Sequence, residues 1–178
     1  MRKLILLIVV ILLSVVSVAF AEDAGGWHKS KWNMKLEELQ KIYNNELMPI
    51  SSGELEKYDN QYQYYLPSFK IGDFDFTVAF AFDNNMLSMV MLQYENYEKC
   101  HDCFRFIEDS MIKKYGMYSD KHDEEQDIGF GFFSTAGRDW VTASTNIHLS
   151  RSIMVTQTKS GIVRITYKSR ASGPLEKI

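Results

Sequence analysis

The residues best suited to chemistry are Cys100-His101-Asp102-Cys103. A Cys-x-x-Cys at a helix start can lower a thiol pKa through the positive helix end and cycle as a disulfide. The two positions lie one helical turn apart, close enough to bridge with modest distortion. Three features point away from catalysis. Thioredoxin-like enzymes place such a pair straight after a β-strand in a βαβ unit, whereas an antiparallel hairpin pattern precedes this one. No Trp or Pro flanks Cys100. Both cysteines fall on a stripe that faces a core. A structural Cys100–Cys103 disulfide is expected, with buried free thiols or a redox or metal-binding pair as alternatives. Covalent haem would need His where Phe104 stands. A zinc site would need further ligands, and on a helix His101 points about 100° away from Cys100.

Other chemistry-bearing residues are scattered. Asp120, His122, Asp123, Glu124, Glu125 and Asp127 form an acidic run. In a calcium loop, His122 and Glu125 would stand where an oxygen ligand and a turn glycine belong, so a solvated surface loop is expected. No glycine-rich phosphate loop follows a strand, and no Gly-x-Ser-x-Gly elbow occurs. His28, His101, His122 and His148 lack a nucleophile motif. Nothing implies a catalytic set, a metal or a cofactor. The tyrosines are the softer signal. Tyr58, Tyr62, Tyr64 and Tyr65 precede the clearest hairpin, and Tyr94 and Tyr97 follow it. Tyrosine offers contact area with a polar tip, as recognition surfaces use. Tyr62, Tyr64, Tyr65 and Tyr94 are therefore candidate binding residues on a sheet face, with about half of the tyrosines expected to pack under the sheet edge.

The elements that must position these residues follow from periodicity. Leu36, Leu39, Ile42 and Tyr43 predict a helix over 34–46, with Asn33 as its cap and Pro49 to Gly53 ending the segment. The period then changes to two. Tyr62, Tyr64 and Leu66 alternate up to Pro67. Phe74, Phe76, Val78, Phe80 and Phe82 share one strand face, and Asp83-Asn84-Asn85 turns the chain into a partner strand over 86–94. A second helix is predicted over 98–115. Cys100, Cys103, Phe104, Ile107 and Met111 form its apolar stripe, and Gly116 its C-terminal stop. Strands are predicted at 128–133, 140–149, 153–158 and 162–168, with Lys159-Ser160-Gly161 as a turn and Val163, Ile165 and Tyr167 facing inward. The fold class is α+β: two helices packed on antiparallel sheet, readable as a tandem α-βββ repeat with halves 34–95 and 98–169.

The N-terminus carries a different message. Arg2 and Lys3 precede an apolar run from Leu4 to Val18, then Ala19-Phe20-Ala21 and Glu22-Asp23. That order predicts a secretory signal peptide of bacterial type over 1–21, cleaved after Ala21, with an uncleaved anchor as the rival. Residues 22–33 read as a flexible lead, 34–169 as a single domain and 170–178 as a tail. The 178-residue chain has a formal charge of −3. Cleavage would remove two basic residues and make it more acidic. Such a chain is a poor partner for nucleic acid or anionic lipid, and no stable membrane insertion is expected after cleavage.

Several short motifs look alike together. Trp32-x-Met34-x-x-Glu37-Glu38-Leu39 opens the first helix, Phe80-x-Phe82-Asp83-x-x-Met86-Leu87 makes the hairpin, and Lys113-Lys114-Tyr115-Gly116 closes the second helix. Trp140, Asn146-Ile147-His148-Leu149 and Val163-x-Ile165-x-Tyr167 follow. This order resembles uncharacterised bacterial secreted proteins whose layout is similar to the β-lactamase-inhibitory protein and the small outer-membrane assembly lipoprotein (SmpA/OmlA). The resemblance implies the α+β layout and carries over no functional residue. Lys35 stands where those proteins often carry a capping Ser or Thr, and the lipoprotein cysteine is absent, against the assembly role. The expected function is a secreted or periplasmic non-enzymatic protein that binds another protein or a small ligand. The alternative is a thiol–disulfide or metal-handling protein using Cys100 and Cys103.

Overall fold

The computed structural model describes residues 25–51, 53 and 61–172. The expected signal peptide with its cleavage point and Tyr58 lie outside them. Among the described residues, no helix is long and apolar enough to cross a membrane.

Residues expected as a flexible lead form a hairpin instead. Gly26–Trp27 (β1) pairs with Ser30–Lys31 (β2). Trp27 is buried and its ring packs on Phe69 with centroids 4.9 Å apart. Burying one indole outweighs the cost of ordering a few residues. The first helix, Leu36–Ile42 (α1), is shorter than periodicity predicts. Its cap is Lys35, not Asn33, and Glu38 Oε2 accepts the Lys35 backbone N–H at 2.8 Å. Asn33 is left-handed (φ 67°), and its N–H donates to the Leu87 carbonyl at 3.0 Å. Asn44 and Asn45, also left-handed, end the helix before Glu46.

The predicted α+β architecture is present. Both helices lie beside an eight-stranded antiparallel sheet ordered β3-β4-β5-β6-β10-β9-β8-β7. Its first half is Met48–Pro49 (β3), Tyr64–Ile71 (β4), Phe74–Asp83 (β5) and Met86–Glu95 (β6). The predicted 74–94 hairpin matches β5 and β6. Asn84 and Asn85 both take positive φ (51° and 60°), the pairing a tight hairpin turn requires. Pro67 sits where β4 slips register against β5, between Leu66 and Phe69, as an irregularity tolerates a missing N–H.

The second half is Asp120–Asp127 (β7), Phe132–Val141 (β8), Thr145–Val155 (β9) and Lys159–Ser169 (β10). Each half is therefore a helix followed by a meander, and the two meanders meet at their last strands, β6 against β10. The second meander has four full strands, so the α-βββ unit does not describe it. Three local expectations need correction. The acidic run is not a loop but an edge strand paired with β8 along its length. Every residue in it is exposed, and charge on a free edge blocks pairing with another chain. The strand expected over 140–149 is broken at residues 142–144, where the Thr142 N–H donates to the Thr145 carbonyl at 2.9 Å. Lys159, Ser160 and Gly161 lie inside β10, and the turn falls at Thr156–Thr158.

Helix Cys100–Tyr115 (α2) buries the predicted stripe Cys100, Cys103, Phe104, Ile107 and Met111, with Tyr115 added. Gly116 ends it (φ 81°), and its carbonyl accepts the Trp140 indole N–H at 2.9 Å. Gly161 is needed for close approach, not for turning. A methyl there would lie 2.8 Å from the Tyr97 Cα and 2.9 Å from the Cys100 Cβ. Gly161→Ala is expected to cost about 1–3 kcal/mol by forcing the start of α2 off the sheet, read as a lower urea midpoint. An unchanged midpoint would show that the helix start yields freely.

Candidate functional site

Strand alternation divides the sheet into two faces. Phe76, Val78, Phe80, Val90, Leu92, Leu149, Val163 and Ile165 point to the helix side and form the main core. The opposite, outer face begins with a small cluster of Tyr62, Ala79, Ala81 and Met91. It continues across β10, β9 and β8 with polar side chains in register. Met91 pairs with Thr166 and Gln93 with Arg164, Thr166 pairs with His148, and His148 pairs with Asp139.

The four candidate tyrosines do not share a face. Tyr64 and Tyr65 are neighbours on one strand, so the period of two sends them to opposite sides. Tyr65 joins Tyr62 on the outer side. Tyr62 is buried, with its hydroxyl 3.0 Å from the Met89 sulfur. Tyr64 contacts Phe82 edge-on with centroids 6.0 Å apart and lines a recess beside α1 with Lys35 and Leu36. Tyr94 is buried in the main core against Phe74 and Phe76. A single tyrosine-lined face is thus not formed, because four positions that mix odd and even numbers within one strand region cannot point one way.

The expected Cys100–Cys103 disulfide is absent. Both residues are free thiols with no exposed surface. The helix runs regularly through them, and the Cys103 N–H donates to the Lys99 carbonyl at 2.9 Å. Each sulfur packs its own part of the core, with Cys100 seated over Gly161. Burial pushes the Cys100 thiol up to about 11, with Arg151 opposing the rise. Burial, followed by the charge of Cys100, pushes Cys103 up to about 12. A nucleophilic or metal-binding thiol needs the reverse shift. Among the described residues, no group of three or more His, Cys, Asp or Glu is arranged to hold a metal ion.

The charged centre of the molecule lies between α2 and β7–β9. Arg138 on β8 is buried (6% exposed). Its Nε donates to Glu108 Oε1, and its Nη1 donates to Asp123 Oδ1 at 2.6 Å. Burial opposes ionisation of Asp123, but the hydrogen bonds and charges of Arg138 and Lys121 win and hold its carboxyl below the usual range. Phe104 lies between two guanidiniums, 5.3 Å from Arg138 and 5.5 Å from Arg151, a cation–π arrangement. Arg151 also shares a 2.8 Å hydrogen bond with His101 Nδ1. No nucleophile stands in this cluster, and its strongest acids and base are spent on each other, so it holds α2 to the sheet rather than performing a reaction. Arg138 was missed from the sequence. Its signal was position: Ala136, Arg138 and Trp140 alternate, which places an arginine facing inward.

On the outer face, His148 Nδ1 and Asp139 Oδ1 lie 2.8 Å apart, both about half exposed. Arg164 Nε donates to Gln93 Oε1 at 2.6 Å, and Gln93 in turn reaches Glu95. The face is thus preorganised by side-chain pairs and remains polar. These features define an α+β sheet protein whose hydrogen-bonding surface is separate from its core. The chain matches no protein-family model, no curated protein and no solved structure.

Proposed function

We propose that this chain is a non-enzymatic binding protein of the bacterial periplasm or exterior. It engages a protein partner through the outer sheet face formed by β10, β9 and β8. One observation carries the reading: both described helices pack on the other side, and the outer face there stays polar, with Asn146, His148 and Lys168 exposed. Specific interfaces combine apolar and hydrogen-bonding area over a rigid base. Here exposed Met154 and Val141 flank the polar rows, and the backbone ladder fixes their positions. The secretory leader supports the location. The buried thiols lend no support to thiol exchange or metal handling.

Site-directed photocrosslinking in envelope preparations tests the face. A photoreactive residue at Asn146 or Lys168 is expected to give one discrete adduct, and the same residue at Asp109 on α2 none. Equal adducts from both faces, or none from the outer one, would overturn the assignment.

A further inference from the structure

On the helix side, α2 and the N-terminal hairpin do not meet. A seven-residue helix spans only about 10 Å, against about 24 Å for α2. The short helix leaves part of the sheet uncovered beside its longer neighbour. The gap is a cleft of about 470 Å³, within the range of small-molecule sites.

Its floor is Ile165 and Tyr167 of β10, and one wall is Ile107 and Met111 of α2. The opposite wall is Trp27 and Phe69, locked edge to face. His28 extends that wall, 5.0 Å from the Phe69 ring. The charges at the mouth all have one sign. Lys70 and Lys114 line the cleft, and no carboxylate does. Among the described residues neither lysine is ion-paired. Lys114 Nζ lies 5.2 Å from the Tyr115 ring centre, which keeps the ammonium near the opening. Burial, then the charge of Lys29, lowers the pKa of His28, leaving the lysines as the cations at neutral pH. An apolar slot with two unpaired cations at its mouth matches a ligand with an apolar tail and an anionic end.

We infer that this cleft binds a single-chain anionic amphiphile, an acyl chain ending in a carboxylate. The chain lies against Trp27, Phe69, Ile107 and Met111, and the carboxylate sits between Lys70 and Lys114. The site is separate from the outer face, so either proposal stands without the other.

Isothermal calorimetry on the full-length chain decides it, with three probes of equal tail: decanoate, decanol and decyltrimethylammonium. Decanoate is expected to bind saturably at one site, at least tenfold tighter than decanol, with no saturable binding of the cation. Replacing both lysines (Lys70→Gln with Lys114→Gln) is expected to remove the preference for decanoate over decanol while leaving the urea midpoint unchanged. Ser110→Trp, a change at an exposed lining position, is expected to block all three probes by filling the slot. Absence of saturable decanoate binding would overturn the assignment, as would decanol binding equally well or an unchanged preference in the double variant. Undiminished binding in Ser110→Trp would place the ligand elsewhere and overturn it too.

Discussion

Native protein at pH 8 is expected to keep Cys100 and Cys103 unmodified by iodoacetamide while the urea-unfolded chain is alkylated fully at both. Two barriers multiply. The Cys100 pKa of about 11, against an ordinary 9.0, leaves roughly a hundredfold fewer thiolates at a given pH. Both side chains are also fully buried, so reagent must wait for α2 to open. The native rate then tracks the opening equilibrium, which for a core helix approaches global unfolding. Intact mass after alkylation checks it. The two thiols should react together, since one helix carries both. Rapid modification of one thiol in native buffer would show that the first turn of α2 opens alone. That result would return thiol chemistry to consideration.

Loss of Arg138 is expected to have the largest effect on stability of any single charge. Arg138→Ala leaves Glu108, which is mostly buried, and Asp123 without their shared cation. Breaking a buried ion pair from one side costs about 3–5 kcal/mol. Asp123 is partly exposed, so solvent screening puts the expected loss near the lower end, about 3 kcal/mol. The stacking of the guanidinium on Phe104 and Tyr118 is lost as well. The pH dependence has a definite sign. Asp123 is held below its ordinary range, so its contribution is complete above the ordinary carboxylate pKa. It disappears as pH falls through the lower, folded value. Arg138 is held above its ordinary range, so its own titration lies at strongly basic pH. The gap between Arg138→Ala and the natural chain should therefore be widest near neutrality and narrow in acid. Urea unfolding across pH measures it. A loss under about 1 kcal/mol at pH 7 would mean that the cluster behaves as a surface pair.

Legibility followed apolar contrast. The stripe on α2 and the 74–94 hairpin could be read because greasy and polar residues repeat with different periods. β7 could not. Its residues are polar on both faces, so alternation leaves no trace, although Asp123 faces Arg138 while His122 and Glu124 face the other way. Gly161 was visible but misassigned. A glycine beside Ser160 reads as a turn, whereas here it clears space for the start of α2. The β8 and β9 boundaries slipped for a related reason: Thr142, Ala143 and Ser144 carry no strong turn chemistry, and the break depends on hydrogen bonds formed only in place.

By itself the sequence determined the α+β class, the two helices, the principal hairpin and the burial of both cysteines. All of these rest on local periodicity and on the cost of leaving apolar side chains in water. Tertiary structure decided the rest. It set the pairing of β6 with β10, the free state of the thiols, the sorting of tyrosines onto two faces, and the meeting of Lys70 with Lys114 at one cleft. These outcomes join residues far apart in the chain. They depend on which surfaces meet once the sheet has closed, and no local pattern encodes that.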